Sequence, residues 1–390
     1  MKFSKLVERI GGDGSDAWHT HYAALAAREH DKDVIILSVG DPDLATPEAI
    51  VERAVSSLRA GDTHYTPLRG RPALRAAIAA IHRERSGQNV DADNVIALCG
   101  AQNALFVAAL CLAESGDEVL TFDPMYTTYP ATIEVSGARM VRVGLPAARG
   151  FRLDLDALAR AITPRTRALF YASPGNPTGV IFNADELAGV AELARRHDLW
   201  IVADEVYAGL APDGRVPSLA ATLPDQVVTI SSLSKTHAMT GWRAGWMVAT
   251  KSLITHADDM VMCMLFGLSG FVQEAALTAL QMAPETQSSV REYCAKRANL
   301  MARELRGIRG LELLLPEAGM FMLVDIRATG LTGAQFASEL YRRHKVSVMD
   351  GSAFGNETRG FLRLSFATDE ALIVEACRRL REFCAAEIRQ

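Results

Sequence analysis

One lysine of the chain lies in a setting that suits its amine for chemistry. Lys235 follows an apolar run that ends in hydroxyl residues, Ser231-Ser232-Leu233-Ser234, and few charges surround it. Such a lysine is either a strand-end residue whose ammonium group reaches solvent or an amine of lowered pKa that forms a Schiff base with a carbonyl compound. The segment alone favours the first interpretation, so other motifs in the sequence are needed to choose between the two roles of Lys235.

An acid and an asparagine follow two other apolar runs. Asp204 comes directly after Trp200-Ile201-Val202-Ala203, at the carboxyl end of a predicted strand. Open α/β sheets bind ligands at such ends, and a buried carboxylate there needs a cationic partner. Asn176 lies in the turn Ser173-Pro174-Gly175-Asn176-Pro177-Thr178-Gly179, where its amide could donate to a ligand at the sheet edge. Taken alone, this segment is an ordinary turn.

Two further segments are suited to a flat, phosphorylated ligand. In Val95-Ile96-Ala97-Leu98-Cys99-Gly100-Ala101-Gln102 a strand breaks at glycine and a helix follows, and helix N-termini bind phosphate. Tyr126 comes just beyond another predicted strand and could stack on a ring, although aromatic residues after strands more often serve packing. The glycine junction is common as well, so each signal is modest alone.

Short apolar runs alternate with helix-period segments from about Val34 onward, which is typical of βα units that build a mostly parallel sheet. The apolar spacing over 185–197 predicts a helix, with Asn183 as its N-cap. The predicted strands of this α/β region are 95–98, 118–122, 138–143, 168–171, 200–203, 227–231 and 245–249.

The pattern changes after Pro284 to a long charged helix, two short strands, a further helix and a closing strand and helix, which predicts a smaller α+β domain. The first forty residues contain only a predicted helix over about 15–29 and an apolar run over 34–39. They suit an arm that packs on either domain or on another subunit. We therefore predict an N-terminal arm with part of the small domain at 1–44, a large ligand-binding domain at 45–284 and a small C-terminal domain at 285–390.

The composition of the 390 residues, 49% of them hydrophobic, is that of an enzyme-sized globular protein. A net charge of −5 without a basic stripe argues against nucleic acid as a partner. The six cysteines lack Cys-x-x-Cys spacing, so we expect no metal site and a reducing compartment. The start of the chain is charged where a signal peptide is apolar, and no run of about 18 apolar residues occurs, so we expect a cytoplasmic protein without a membrane partner.

Four motifs in this order resemble those of the class I aminotransferases of the fold type I pyridoxal phosphate family, and the resemblance covers essentially the whole chain. They are Asn176-Pro177-Thr178-Gly179, Asp204-Glu205-Val206-Tyr207, Ser232-Leu233-Ser234-Lys235 with Arg243, and Arg363-Leu364-Ser365-Phe366. The resemblance implies an α/β fold: a three-layer α/β/α large domain around a mostly parallel seven-stranded sheet, plus a smaller α+β domain. It also implies pyridoxal 5′-phosphate as cofactor and transfer of an amino group from an L-amino acid to a 2-oxo acid.

The resemblance assigns roles at the reacting end of the cofactor. Lys235 would form the Schiff base with the cofactor and carry the proton that leaves Cα of the substrate. Asp204 would pair with the pyridine nitrogen. Asn176 and Tyr207 would hydrogen-bond the phenolic oxygen. Tyr126 would stack on the ring, at a position where many members of the family have tryptophan.

The resemblance also assigns the remaining binding groups. Arg363, with Gly40 and Asn176, would bind the substrate α-carboxylate. Tyr65 would reach the phosphate in a neighbouring subunit, which implies a homodimer with shared sites; alone, Tyr65 would be interpreted as a packed loop aromatic. The cofactor phosphate would be bound by the amides of Ala101 and Gln102, the hydroxyls of Ser232 and Ser234 and the guanidinium of Arg243.

Within the family, the segments 12–22, 37–43, 234–246 and 263–267 resemble the arginine–pyruvate transaminases in particular. A cationic substrate needs an acid or an aromatic face, and the candidates are Asp13, Asp16 and Trp18, which equally suit a helix cap and staple. We therefore hypothesise an aminotransferase that acts on arginine or another basic amino acid with pyruvate or a similar 2-oxo acid. The alternatives are an aspartate, aromatic or alanine type of specificity, or a lyase that cleaves the Cβ–S bond of cysteine conjugates.

Overall fold

The computed structural model describes residues 1–10 and 18–387 of the chain. Within those residues the α-helices are α1 (Lys5–Ile10), α2 (His19–Arg28), α3 (Glu48–Arg59), α4 (Pro72–Ser86), α5 (Ala101–Leu112), α6 (Tyr129–Glu134), α7 (Leu155–Ala161), α8 (Ala184–His197), α9 (Lys251–Met264), α10 (Gly270–Gln281), α11 (Ala283–Leu305), α12 (Gly333–His344) and α13 (Glu370–Glu387). The β-strands are β1 (Ile35–Ile36), β2 (Val95–Leu98), β3 (Glu118–Asp123), β4 (Arg139–Gly144), β5 (Thr166–Ala172), β6 (Trp200–Asp204), β7 (Val227–Ser232), β8 (Gly245–Val248), β9 (Glu312–Leu314), β10 (Phe321–Asp325), β11 (Val346–Ser347), β12 (Met349–Asp350) and β13 (Phe361–Ser365).

Seven of these strands form one central sheet in the order β2-β8-β7-β6-β5-β3-β4. Neighbouring strands run parallel except β8, which is antiparallel to both β2 and β7. The seven strands predicted from the sequence are confirmed, with ends that differ by at most two residues. Helices cover both faces of the sheet, and the inner strands are mostly apolar, which is why these strands could be recognised.

Alternate side chains of the inner strands enter two separate cores. Ala168 and Phe170 of β5 pack with α5 and α9 on one face, whereas Leu169 and Tyr171 pack with α8 on the other. This alternation follows from the two-residue period of a β-strand. Helices α3, α4 and α10 cover the second face beside β2 and β8. The three-layer α/β/α architecture is therefore confirmed.

Helix α8 begins one residue before its predicted start. The side-chain oxygen of Asn183 accepts a hydrogen bond from the backbone N–H of Glu186 at 2.9 Å, and the Glu186 carboxylate accepts one from the backbone N–H of Asn183 at 2.8 Å. This reciprocal capping satisfies two amide groups at the helix start. Leu187, Val190 and Ala194 are buried against the sheet, so α8 fixes the position of β6, the strand that ends at Asp204.

A second sheet has the order β12-β13-β10-β9 and is antiparallel throughout. Helices α11, α12 and α13 pack around it in one core, which confirms the smaller α+β part. The apolar run after the N-terminal arm contributes β1, whose Ile35 pairs in parallel with Val346 of β11. The arm region thus joins the C-terminal part of the fold. The division into 1–44, 45–284 and 285–390 remains a proposal.

Candidate active site

A cavity of about 180 Å³ lies where the carboxyl ends of β5, β6 and β7 face the four-stranded sheet. This is the edge at which parallel sheets bind ligands. Trp18, Thr240 and Phe321 also line it. Of the residues predicted to act in catalysis or to bind the cofactor and the α-carboxylate, the structure brings all except Tyr65 to this cavity, namely Gly40, Ala101, Gln102, Tyr126, Asn176, Asp204, Tyr207, Ser232, Ser234, Lys235, Arg243 and Arg363.

Lys235 lies just beyond the end of β7. Burial lowers its pKa to about 8, and the guanidinium groups of Arg363 and Arg243 act in the same direction, while Asp41 opposes them. The Nζ atom donates a hydrogen bond to the carbonyl oxygen of Gly40 at 2.6 Å. Because the neutral amine is the nucleophilic form, this lowered pKa increases the reactive fraction near neutral pH.

Asp204 ends β6 as a buried carboxylate. Burial raises its pKa to about 6, although the backbone N–H of Val206 and the hydroxyl of Tyr129 both favour the ionised form. Tyr129 donates to Oδ2 at 3.1 Å, and the N–H of Val206 donates to Oδ1 at 3.3 Å. A cation beside this carboxylate would offset the desolvation and hold it ionised.

Sequence reasoning missed Tyr129. It is the first residue of α6 and is buried, and its ring meets that of Tyr126 edge-on, with the centroids 6.0 Å apart. Tyr126 lines the cavity, whereas Tyr129 supports Asp204. The signal in the sequence is a pair of aromatic residues after a strand. Nothing in it indicates which of the two reaches the acid of another strand.

Glu205, the neighbour of Asp204, does not line the cavity and has its own hydrogen-bond partner. Ser218 donates a hydrogen bond to its Oε1 at 2.8 Å, and burial raises the pKa of the Glu205 carboxyl to about 7. Successive residues of an extended segment point in opposite directions. Only Asp204 of the two acids therefore lines the cavity.

The start of α5 and the guanidinium of Arg243 form an anion-binding end of the cavity. Gly100 precedes α5 with a φ of +83°, and a Cβ at this position would lie 2.4 Å from Nη2 of Arg243. The positive φ favours glycine at this position, and a side chain there would displace the guanidinium from the helix start. The hydroxyl residues Ser232 and Ser234 line the same cavity. Free amides, the helix dipole and a guanidinium together suit a phosphate group.

Arg363 presents a fixed cation to the cavity, and its side chain is 3% exposed. Nη1 donates to Oδ1 of Asn176 at 2.9 Å and Nη2 to the carbonyl oxygen of Ser38 at 2.6 Å. The rings of Phe321 and Phe354 lie over the guanidinium, with centroids 3.9 and 4.6 Å from its carbon. Burial lowers the pKa of Arg363 to about 10, so the group stays charged at neutral pH. Its Nε is buried and has no hydrogen-bond partner in the described part of the chain. Because Arg363 lines the cavity, its planar guanidinium suits a carboxylate.

Asn176 bridges two of the predicted site residues. Its Oδ1 accepts the hydrogen bond from Arg363, and its side chain also hydrogen-bonds Tyr207. Burial raises the pKa of the Tyr207 hydroxyl above its ordinary value, so this group is a hydrogen-bond donor at neutral pH. Asn176 and Tyr207 thus form a pair of polar groups beside Asp204 in one cavity.

Tyr65 lies outside the cavity. Its side chain is 84% exposed, and its ring packs on Phe266 with the centroids 4.8 Å apart. Of the candidates for substrate choice, Trp18 lines the cavity and meets the ring of His21 edge-on at 5.4 Å. Asp13 and Asp16 lie outside the described residues.

The donor set of this cavity fits pyridoxal 5′-phosphate. The glycine-dependent approach of Arg243 to α5 suits the phosphate, and the amine of lowered pKa, Lys235, suits the aldehyde. The buried carboxylate of Asp204, whose pKa is raised because burial disfavours its charge, suits a protonated pyridine nitrogen. The guanidinium of Arg363, which also lines the cavity, remains for a substrate carboxylate.

Comparisons with known proteins agree with this chemistry. Residues 32–380 match the family model for aminotransferase class I and II. An arginine–pyruvate transaminase of Pseudomonas aeruginosa is 46% identical over 391 residues, which cover 100% of this chain and 99% of that protein. An aspartate aminotransferase of Pyrococcus horikoshii is 31% identical over 91% of this chain and 92% of its own length.

Solved structures give the same result. An aspartate aminotransferase from Thermus thermophilus with maleate superposes with a TM-score of 0.93 at 31% identity, over 98% of this chain and 99% of that one. An aromatic aminotransferase from Pyrococcus horikoshii superposes with a TM-score of 0.88 at 32% identity, over 94% and 98%. These relatives are named for amino-group transfer, which supports that reaction over the lyase alternative.

Proposed function

Because this chain belongs to the class I and II aminotransferase family, we propose that it transfers the amino group of arginine, or of another basic L-amino acid, to pyruvate or a similar 2-oxo acid. Membership makes it a pyridoxal phosphate-dependent aminotransferase. The chain is 46% identical to the arginine–pyruvate transaminase and 31% identical to the aspartate aminotransferase of Pyrococcus horikoshii. This difference supports a basic amino acid as the amino donor.

The charges of the cavity carry this proposal. Its lining cations are Lys235, Arg243 and Arg363. We assign Lys235 to the cofactor aldehyde, Arg243 to the cofactor phosphate and Arg363 to the substrate α-carboxylate. All amino donors share this carboxylate. Among the lining residues that the structure describes, no further cation is left for a second carboxylate. A donor such as aspartate would bury that carboxylate unpaired, at a cost in binding free energy.

Trp18 and Asp41 complement a cationic side chain instead. The indole of Trp18 lines the cavity, and an aromatic face attracts a guanidinium through a cation–π interaction. Asp41 is exposed, and its Oδ1 accepts a hydrogen bond at 2.6 Å from the hydroxyl of Thr240, which also lines the cavity. An acid at this position favours a donor that carries a positive side chain.

The proposed residue roles follow from the chemistry of amino-group transfer. When bound, pyridoxal phosphate supplies an electron-poor ring that accepts the electron pair left as the Cα–H bond of the donor breaks. Lys235 Nζ takes the proton from Cα. Asp204 keeps a proton on the pyridine nitrogen, because an ionised carboxylate stabilises the adjacent cation. Tyr207 and Asn176 donate hydrogen bonds to the phenolic oxygen, and Tyr126 covers the ring.

The remaining residues hold charged groups in place. Arg363 binds the α-carboxylate through its guanidinium, with Gly40 and Asn176 beside it, so that the reacting Cα of every donor occupies the same position. The phosphate is held by the amides of Ala101 and Gln102, the hydroxyls of Ser232 and Ser234, and Arg243. These groups bind and orient; the proton transfer itself belongs to Lys235.

We also propose that two copies of the chain form a homodimer in which Tyr65 reaches the phosphate of the second site. Tyr65, Met262 and Phe266 are large apolar side chains exposed on the surface. Tyr65 and Phe266 line one surface hollow. Exposed apolar groups of this kind favour burial against another protein surface.

A cytoplasmic location is part of the same proposal. The six cysteines are free thiols, as expected in a reducing compartment. Within residues 1–10 and 18–387, no helix combines the length and apolar character that a membrane span requires.

A spectral titration of the purified holoenzyme tests the donor and the reaction together. Arginine, lysine, alanine and aspartate are added singly while the visible band of the cofactor is recorded, and pyruvate is added afterwards. We expect arginine or lysine to remove the band and pyruvate to restore it. A response to aspartate alone would overturn the basic donor. A band that persists with every donor, together with pyruvate release from cysteine conjugates, would favour the lyase.

A further inference from the structure

Asp123 ends β3 as a buried carboxylate, 3% exposed. Its Oδ2 accepts a hydrogen bond at 2.9 Å from the backbone N–H of Asn356, 233 residues further along the chain, and Oδ1 accepts one at 3.1 Å from the N–H of Glu357. A buried carboxylate needs such partners, and hydrogen bonds to a charged acceptor are among the strong ones. Asp123 therefore fixes the segment 354–357 onto the end of β3.

Two further contacts show how closely this segment approaches the strand end. Gly355 has a φ of +140°, and a Cβ on it would lie 2.0 Å from Oδ1 of Asp123. Only glycine permits this approach. On the other side, the backbone N–H of Met125 donates to the carbonyl oxygen of Phe354 at 2.9 Å. The two segments are thus joined on both sides of Gly355.

Phe354 connects this junction to the active site. Its ring is fully buried and lies over the guanidinium of Arg363, 4.6 Å from its carbon. Tyr126, which lines the cavity, directly follows Met125 in the chain. The junction at Asp123 therefore connects Tyr126, on one side of the cavity, with Phe354, whose ring covers Arg363 on the other side.

We infer that Asp123 is a positioning residue for the substrate carboxylate: it holds Phe354 over Arg363 and so fixes the guanidinium relative to Tyr126. The inference rests on the proposed role of Arg363 as the carboxylate-binding group. Asp123 itself acts only through the segment 354–357. Its loss lets the guanidinium change orientation, which weakens binding of every substrate that has an α-carboxylate and leaves cofactor binding unchanged.

The holoenzyme variant Asp123→Asn tests this. Asparagine has the same shape as aspartate. Its amide nitrogen is a donor, however, so it cannot accept the hydrogen bond from one of the two backbone N–H groups that Asp123 binds. We expect KM to rise about tenfold for the amino donor and for the 2-oxo acid alike, with kcat changed by less than about twofold. The visible spectrum of the bound cofactor stays unchanged. The matched control is Asp154→Asn, which changes a carboxylate that accepts the backbone N–H of Ala157 at 2.9 Å at the start of α7, away from the segment 354–357, and there we expect no change in KM.

Two companion variants keep the outcome decisive. Phe354→Leu removes the ring from Arg363 and is expected to reproduce the rise in KM. The double variant with Asp123→Asn should then show no larger rise than the greater of the two single variants, because both act through one contact. An unchanged KM in Phe354→Leu, or an equal rise in Asp154→Asn, overturns the inference.

Arg363→Lys, measured alongside, separates the inference from the proposed function. If Arg363→Lys raises KM for all substrates and Asp123→Asn does not, the positioning role of Asp123 is wrong and the proposed function stands. If neither variant raises KM, Arg363 does not bind the carboxylate, and the inference is overturned together with that role.

Discussion

The hydroxyl of Tyr129 donates a hydrogen bond to Oδ2 of Asp204 across 3.1 Å, and both side chains are buried. Burial and the nearby Asp204 charge hold the pKa of Tyr129 well above its ordinary value, so this hydroxyl stays a donor. Its hydrogen bond lowers the pKa of Asp204 against the opposing effect of burial. The charge state of the acid that faces the cofactor thus depends on a residue outside the cavity.

Replacing Tyr129 by phenylalanine removes this donor and raises the pKa of Asp204. Deprotonation then requires a higher pH, so the acid limb of the kcat profile moves toward neutrality, and kcat at neutral pH falls by about fivefold with little change in KM. Tyr171→Phe is the control, because Tyr171 is a similarly buried tyrosine of β5. An acid limb that stays in place in Tyr129→Phe would contradict the role assigned to this hydrogen bond.

Lys235→Ala removes the amine that we place as cofactor anchor and proton carrier. Turnover is expected to fall by at least about a thousandfold. After reduction with borohydride, mass spectrometry should detect the cofactor covalently attached in the wild-type protein and in Lys251→Ala, an exposed lysine on α9, but not in Lys235→Ala. Normal turnover in Lys235→Ala would refute the assignment.

Arg363→Lys keeps a cation but loses the fork that Asn176 and Ser38 hold in place. We expect kcat/KM to fall about 100-fold, equivalent to about 2.7 kcal/mol, for arginine, alanine and pyruvate alike. Steady-state kinetics with each substrate measures this. A loss confined to one donor would show instead that Arg363 contacts the donor side chain.

Trp18→Leu removes the aromatic face from the cavity lining. The ratio of kcat/KM for arginine to that for alanine should fall by about two- to thirtyfold, since a cation–π contact is worth about 0.5–2 kcal/mol. Leu25→Ala, at an exposed apolar residue of α2, should leave the ratio unchanged. An equal loss for both donors in Trp18→Leu would mean that Trp18 only shapes the cavity.

The shared site predicts complementation between two defective variants. Lys235→Ala and Tyr65→Ala are each expected to have impaired sites. In a mixed dimer, one site combines Lys235 of the second variant with Tyr65 of the first and is intact. Unfolding and refolding the two variants together should therefore restore part of the activity, measured against each variant treated alone. No gain on mixing, with dimers present, would place Tyr65 outside the second site.

Much of the central sheet could be predicted because its inner strands are buried on both faces and are mostly apolar in sequence. The same local reasoning locates Asp204 at the end of β6 and Lys235 just beyond β7. Asn183 likewise predicts the start of α8, because a capping side chain accepts a hydrogen bond from a backbone N–H only three residues further along the chain. Each of these features depends on residues close together in sequence.

Features that depend on distant partners could not be predicted in this way. Asp123 binds amides 233 residues away, and the partner of Tyr129 lies 75 residues away. The run 34–39 is visibly apolar, but its pairing with β11 is decided by packing of the C-terminal part of the fold. Side-chain partners of this kind follow from tertiary geometry, which the spacing of residues does not encode.

The guanidinium of Arg363 is a permanent positive charge in a place from which water is largely excluded. A molecule that fills the cavity without an anionic group would trap this charge without a counterion, at a cost of several kcal/mol. Agmatine keeps the amine and guanidinium of arginine and lacks only the carboxylate, so it meets this penalty in full. One buried cation therefore separates amino acids from their decarboxylated amines before any feature of the side chain is examined.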